Sequence, residues 1–263
     1  MIILIHTSKV MRSAPAGDRA LTEPALRGRA EELAAYLKTL SVERLATVME
    51  ISPALAARTH ALLADWGVEP DRQSPAMDSF AGDIYSGLRA CDLSDADRAY
   101  ADERLRILSG LYGILRPHDA VQPYRLEMGY RLPDAPYTSL YAFWGASIAE
   151  TLPPTGVIVN LAAVEYHKTV SAFLDRDRFV SPRFLTVHPE TGEPRFVVVH
   201  AKIARGAFAR WLLTARVDDP EAITDFAEIG YRYDPALSKP RQPAFVCKEF
   251  EGKGLSVRLH EPG

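Results

Sequence analysis

The residues of this chain that can do chemistry fall in three clusters separated by apolar tracts. The first is LSGLYGILRPHDAVQPYRLEMG, residues 108 to 129, which carries Arg116, Tyr124, Arg125 and Glu127 among three glycines and two prolines. Glycine admits backbone angles that a β-carbon forbids and proline fixes φ, so this segment reads as a rigid loop that aims side chains. Asn160, Glu165 and Lys168 in NLAAVEYHK form the second cluster, and Lys202 and Arg205 in AKIARGAFAR form the third. Lys9, beyond the apolar run that opens the chain, adds a further cation.

Side chains of mixed sign on otherwise apolar elements are costly to bury unless they pair with one another or with a ligand. If the clusters share a cavity, Glu127 and Glu165 are candidates for a general acid or base, with Lys168 as a further catalytic candidate. Arg116, Tyr124, Arg125, Asn160, Lys202, Arg205 and Lys9 would then bind a small anionic or nucleoside-like substrate. The same cavity without turnover would make a small-molecule sensor. Pairing within the protein competes with both readings: Arg116 with Glu127, Glu165 with Lys168 three residues apart on a helix, or either carboxylate against Lys202 and Arg205.

No nucleophilic triad, Walker loop or dinucleotide fingerprint narrows the reaction, and no cofactor is expected. His6, His118, His167, His188 and His200 lack paired ligand spacing, so no metal site is expected either. The two cysteines, Cys91 and Cys247, are far apart and suggest neither a zinc site nor a disulfide framework, which fits a reducing cytoplasm.

The elements that must position these residues follow from the apolar pattern. Ile2 to Ile5 is a run of branched apolar residues, read as a buried strand, and residues 157 to 162 read as another. A parallel strand giving way to a helix would set Asn160, Glu165 and Lys168 at the carboxyl edge of a sheet, where open α/β sheets collect their ligands. Residues 178–187 and 195–201 read as two strands around the turn PETGEP, with a helix starting at Lys202. Cations at a helix N-terminus oppose the macrodipole, so an anion is expected there.

Helical spacing covers residues 23–40, 41–50, 53–66 and 137–152, and a further helix starts at Ser94. Ser41, Ser52 and Ser94 are the expected N-caps. A last strand is expected over 245–250, with polar loops over 12–22 and after Gly252. With 263 residues, 47% hydrophobic, 25% charged and a net charge of -3, the chain reads as one α/β domain over 1–263. The expected architecture is a mixed sheet flanked by helices, with a helical hairpin lobe at 41–67. The charge balance excludes a uniformly basic nucleic-acid protein, and no apolar run approaches the ~18 residues of a membrane span.

The three motifs, in this order and at this separation, resemble the YaaA family of bacterial peroxide-stress proteins. The likeness extends from MIILI to AFVCK. It implies a cytoplasmic protein that limits free iron during hydrogen peroxide stress, an α/β fold with a helix-hairpin-helix-like element, and binding to double-stranded DNA. This chain departs from the family pattern in IHTSK, where ISPAK is usual, in Ala162-Ala163, where a serine is usual, and at Glu50 in the hairpin turn. A carboxylate in that turn repels phosphate, so the hairpin is expected to bind duplex DNA poorly.

Overall fold

The computed structural model describes residues 1–14, 19–68, 72–132 and 137–255. Part of the loop expected over 12–22, and the tail beyond residue 255, lie outside them. Strand β1 (Ile2–His6) is buried along its whole length, as its unbroken apolar run requires of a strand covered on both faces. After the short β2 (Val10–Met11) come α1 (Arg27–Lys38), α2 (Val42–Met49) and α3 (Pro53–Asp65). Ser41 and Ser52 cap α2 and α3 by accepting hydrogen bonds from the amides of Arg44 and Leu55. Helix α1 starts later than its apolar spacing suggests, because residues 24–27 form a separate turn closed by the Arg27 amide on the Pro24 carbonyl.

Next follow β3 (Ser74–Pro75), α4 (Ala76–Ser79), β4 (Phe80–Ala81), α5 (Asp83–Leu88) and α6 (Asp95–Arg104), the last capped by Ser94 as expected. The central loop region holds β5 (Leu105–Ser109), β6 (Gly113–Leu115) and β7 (Ala120–Val121). The helix expected over 137–152 is two short ones, α7 (Leu140–Trp144) and α8 (Ser147–Glu150), because Gly145 turns the backbone to φ 49° between them. Beyond lie β8 (Ile158–Asn160), α9 (Val164–Ser171), β9 (Phe179–Val180), β10 (Arg183–Val187) and β11 (Pro194–Arg195). Helix α10 (Val198–Thr214), β12 (Tyr231–Lys239) and β13 (Gln242–Cys247) complete the order.

Two mixed sheets flanked by helices make this an α/β fold. In the first, ordered β6-β5-β1-β8-β9, the strands β5, β1, β8 and β9 run parallel and β6 closes the edge antiparallel. In the second, ordered β11-β10-β13-β12, only β10 and β13 are parallel. Among the described residues, no helix is long and apolar enough to cross a membrane.

The strand expected over 195–201 is corrected to the start of α10. The β-branched preference of Val197, Val198 and Val199 yields to packing, since Ala201, Ala204 and Ala207 recur at helical spacing and are buried. Gly87 of α5 and Gly206 of α10 allow the two helices to cross at backbone contact. A β-carbon on Gly206 would lie 1.8 Å from the Ile84 carbonyl oxygen, and one on Gly87 would lie 2.0 Å from that of Ile203. This crossing fixes the part of α10 that carries Lys202 and Arg205.

Candidate functional site

Parallel pairing of β1 with β5 and β8 sets three carboxyl ends side by side. His6 and Thr7 therefore emerge between Ser109 on one side and the turn from β8 into α9 on the other. The Thr7 amide donates to the Leu108 carbonyl (2.9 Å), and the amide of Ala163 donates to Nδ1 of His6 (3.2 Å). Tyr85 donates its hydroxyl to the His6 carbonyl (3.1 Å), while the Tyr166 ring lies 4.7 Å from the imidazole. Burial, and then the charges of Arg205 and Lys202, lower the His6 pKa to about 3, so its ring is neutral at pH 7.

Above this floor the charged residues meet. Lys9 Nζ is 2.8 Å from a carboxylate oxygen of Glu127, and the same oxygen accepts from the Tyr130 hydroxyl at 3.1 Å. Burial and the Glu127 charge push that hydroxyl up to about 12. Arg125 donates to the Lys9 carbonyl at 3.4 Å. Glu165 lies against Gly129, where a β-carbon would come 3.1 Å from its Oε2. Its pKa is raised by burial and by the Glu127 charge, against the smaller opposing pull of Lys9 and Lys202. Burial lowers the pKa of Arg205. Neither Lys202 nor Arg205 makes a hydrogen bond or ion pair among the described residues.

Six of the sequence candidates thus share one region: Lys9, Arg125, Glu127, Glu165, Lys202 and Arg205. Tyr124 lies beneath them, its hydroxyl 2.6 Å from Ser109 Oγ and its ring edge-on to Tyr112. Lys202 and Arg205 stand in the second turn of α10, not at its N-terminus, so the helix-dipole argument for an anion there does not apply.

Three candidates lie elsewhere. Arg116 follows β6, which runs antiparallel to β5, and so emerges at the opposite edge of the sheet. Its Nε is 3.4 Å from Asp119, and the expected pairing with Glu127 is replaced by this one. Asn160 holds the β8–α9 turn, accepting from the Ala162 amide (3.1 Å) and donating to Ser181 Oγ (3.3 Å). Lys168 is exposed and lines a separate cleft with His167 and Arg176. Among the described residues, no group of three or more His, Cys, Asp or Glu side chains is arranged to hold a metal ion.

Sequence reasoning did not nominate His6, Thr7, Tyr130 or Tyr166 for this region. Two signals were available. His6 ends a strand with no exposed position and Thr7 directly follows it, and Tyr166 adjoins Glu165 at the first turn of α9.

A family model described as peroxide stress protein YaaA matches residues 1–237. The chain belongs to that family. A UPF0246 protein of Salinispora tropica is 78% identical over 263 residues, covering 100% of both chains. A UPF0246 protein of Burkholderia lata is 41% identical over 249 residues, covering 90% of this chain and 95% of its own length. One from Ruegeria pomeroyi is 39% identical over 254 residues, covering 94% and 98%. The resemblance carried by the three motifs is therefore a family relationship, and the peroxide-stress assignment comes with it.

Proposed function

We propose that this member of the YaaA family binds a small oxyanion, a phosphate or carboxylate, between Lys202 and Arg205, with Glu165 as the acid–base group beside it. The observation that carries the reading is that neither cation makes a hydrogen bond or ion pair among the described residues. Glu127 is taken up by Lys9 and Tyr130, and among the described residues neither Glu127 nor Glu165 forms a hydrogen bond or ion pair with Arg205. A guanidinium desolvated without a partner is costly, and a bound anion removes that cost. A carboxyl group beside the anion whose pKa is raised by burial and by the Glu127 charge can hold and pass on a proton, which favours an enzyme over a sensor.

In a thermal melt at constant ionic strength, inorganic phosphate should raise the midpoint. Saturation to a hundredfold excess over Kd corresponds to about 2.7 kcal/mol. Arg205→Ala should lose most of that gain; an equal shift in both proteins, or none in either, overturns the reading. We propose that any limitation of free iron by this chain acts through this ligand. The cytoplasm is the proposed compartment, supported by two cysteines that are both free, one of them exposed.

A second reading is binding of double-stranded DNA by a helix-hairpin-helix-like element formed by α2 and α3. In its favour, Glu50 turns the chain between these helices at φ 50°, the backbone shape that a hairpin glycine would adopt. Its carboxylate opposes phosphate at the same place, so this reading ranks second.

A further inference from the structure

Lys168 borders a cleft of about 660 Å³ between α9 and the turn joining β12 to β13, a volume suited to a small organic ligand. Its described lining is charged with one sign only. Lys168, Arg176 and Arg241 line it, and no carboxylate does. None of the three cations has a hydrogen-bond or ion-pair partner among the described residues. Inside the cleft the His167 ring stands edge-on to Phe179 at 4.7 Å, and its buried Nε2 has no partner. Burial lowers the pKa of this imidazole, which keeps it neutral at pH 7. Phe173 adds an apolar ring that is 48% exposed.

Arg241 also occupies an unfavourable backbone position. Lys239 pairs with Gln242, so Pro240 and Arg241 form a two-residue turn in which Arg241 has φ 60°. Proline followed by a residue of positive φ is a turn that glycine completes best. An arginine there weakens the turn and adds a cation to the cleft.

We propose that this cleft binds a phosphate monoester carrying an aromatic ring. Lys168, Arg176 and Arg241 hold the phosphate, the ring rests on Phe173, and a polar atom of the ligand meets Nε2 of His167. Helix α9 thus contributes Glu165 to the Lys202–Arg205 site and Lys168 to this second one.

The test titrates 1-naphthyl phosphate into the full chain at constant ionic strength, with 1-naphthol as the phosphate-free control. Saturable binding is expected, much weaker for 1-naphthol, and weakened about tenfold or more by Arg241→Gly and by Lys168→Ala. Arg205→Ala should retain it, which separates this cleft from the first site. Arg241→Gly should melt no lower than the native chain because it eases the turn, so its loss of affinity cannot be ascribed to unfolding. No saturable binding, unchanged affinity in both cleft variants, or loss confined to Arg205→Ala would overturn the proposal.

Discussion

Replacing His6 with asparagine should remove a defined part of the protein's acid sensitivity. In the fold the imidazole is buried near Arg205 and Lys202, and its pKa falls from 6.5 to about 3. Between those values the unfolded chain binds a proton that the native chain does not, so this residue makes stability rise with pH. Its contribution is fully present above pH 6.5 and is lost as pH falls toward 3. The slope is about 1.4 kcal/mol per pH unit, so lowering the pH from neutral to about 5 costs roughly 2 kcal/mol through this group. Asparagine supplies an acceptor for the Ala163 amide, which His6 Nδ1 now serves, but it does not titrate. Urea denaturation of both proteins across this range isolates the effect, because the other titrating groups are common to them. The variant should be the less stable at neutral pH, with the gap closing by about 2 kcal/mol near pH 5. Parallel curves would mean that His6 is not buried in its neutral form beside two cations.

Three further substitutions probe the framework. Gly206→Ala should destabilise the fold by about 1–3 kcal/mol or more, since the added carbon meets the Ile84 carbonyl oxygen at 1.8 Å, whereas Gly28→Ala, with nothing within 4 Å, should be neutral or stabilising in the same urea titration. Glu50→Gly should raise stability by up to about 1 kcal/mol by removing a β-carbon at φ 50°, and should strengthen duplex DNA binding in a salt titration; unchanged affinity would count against the hairpin as a DNA contact.

The sequence was most informative where one rule acted alone. The unbroken apolar run of β1 and the serine caps of α2, α3 and α6 needed only local chemistry and were legible. The start of α10 was not, because Val197 to Val199 favour a strand locally. The segment is helical because α10 buries Ala201, Ala204 and Ala207 and packs on α5, far away in the chain, with Gly87 against Ile203 and Gly206 against Ile84. Convergence of Lys9, Arg125, Glu127, Glu165, Lys202 and Arg205 followed from charge on buried elements, a rule that ignores direction. It therefore also selected Arg116, which the antiparallel β6 carries to the far edge, and Lys168, which lies in the second cleft. His6 was passed over as a scattered histidine because its environment is built by Tyr85, Tyr166 and two cations from distant segments.

The most direct measurement is anomalous diffraction from crystals of the native protein soaked in selenate, an oxyanion whose selenium marks its own position. A bound ion should give a peak within hydrogen-bond reach of both the Lys202 ammonium and the Arg205 guanidinium, and Arg205→Ala should remove it. A map with selenate elsewhere and none between these two side chains would contradict their assignment as the anion ligands.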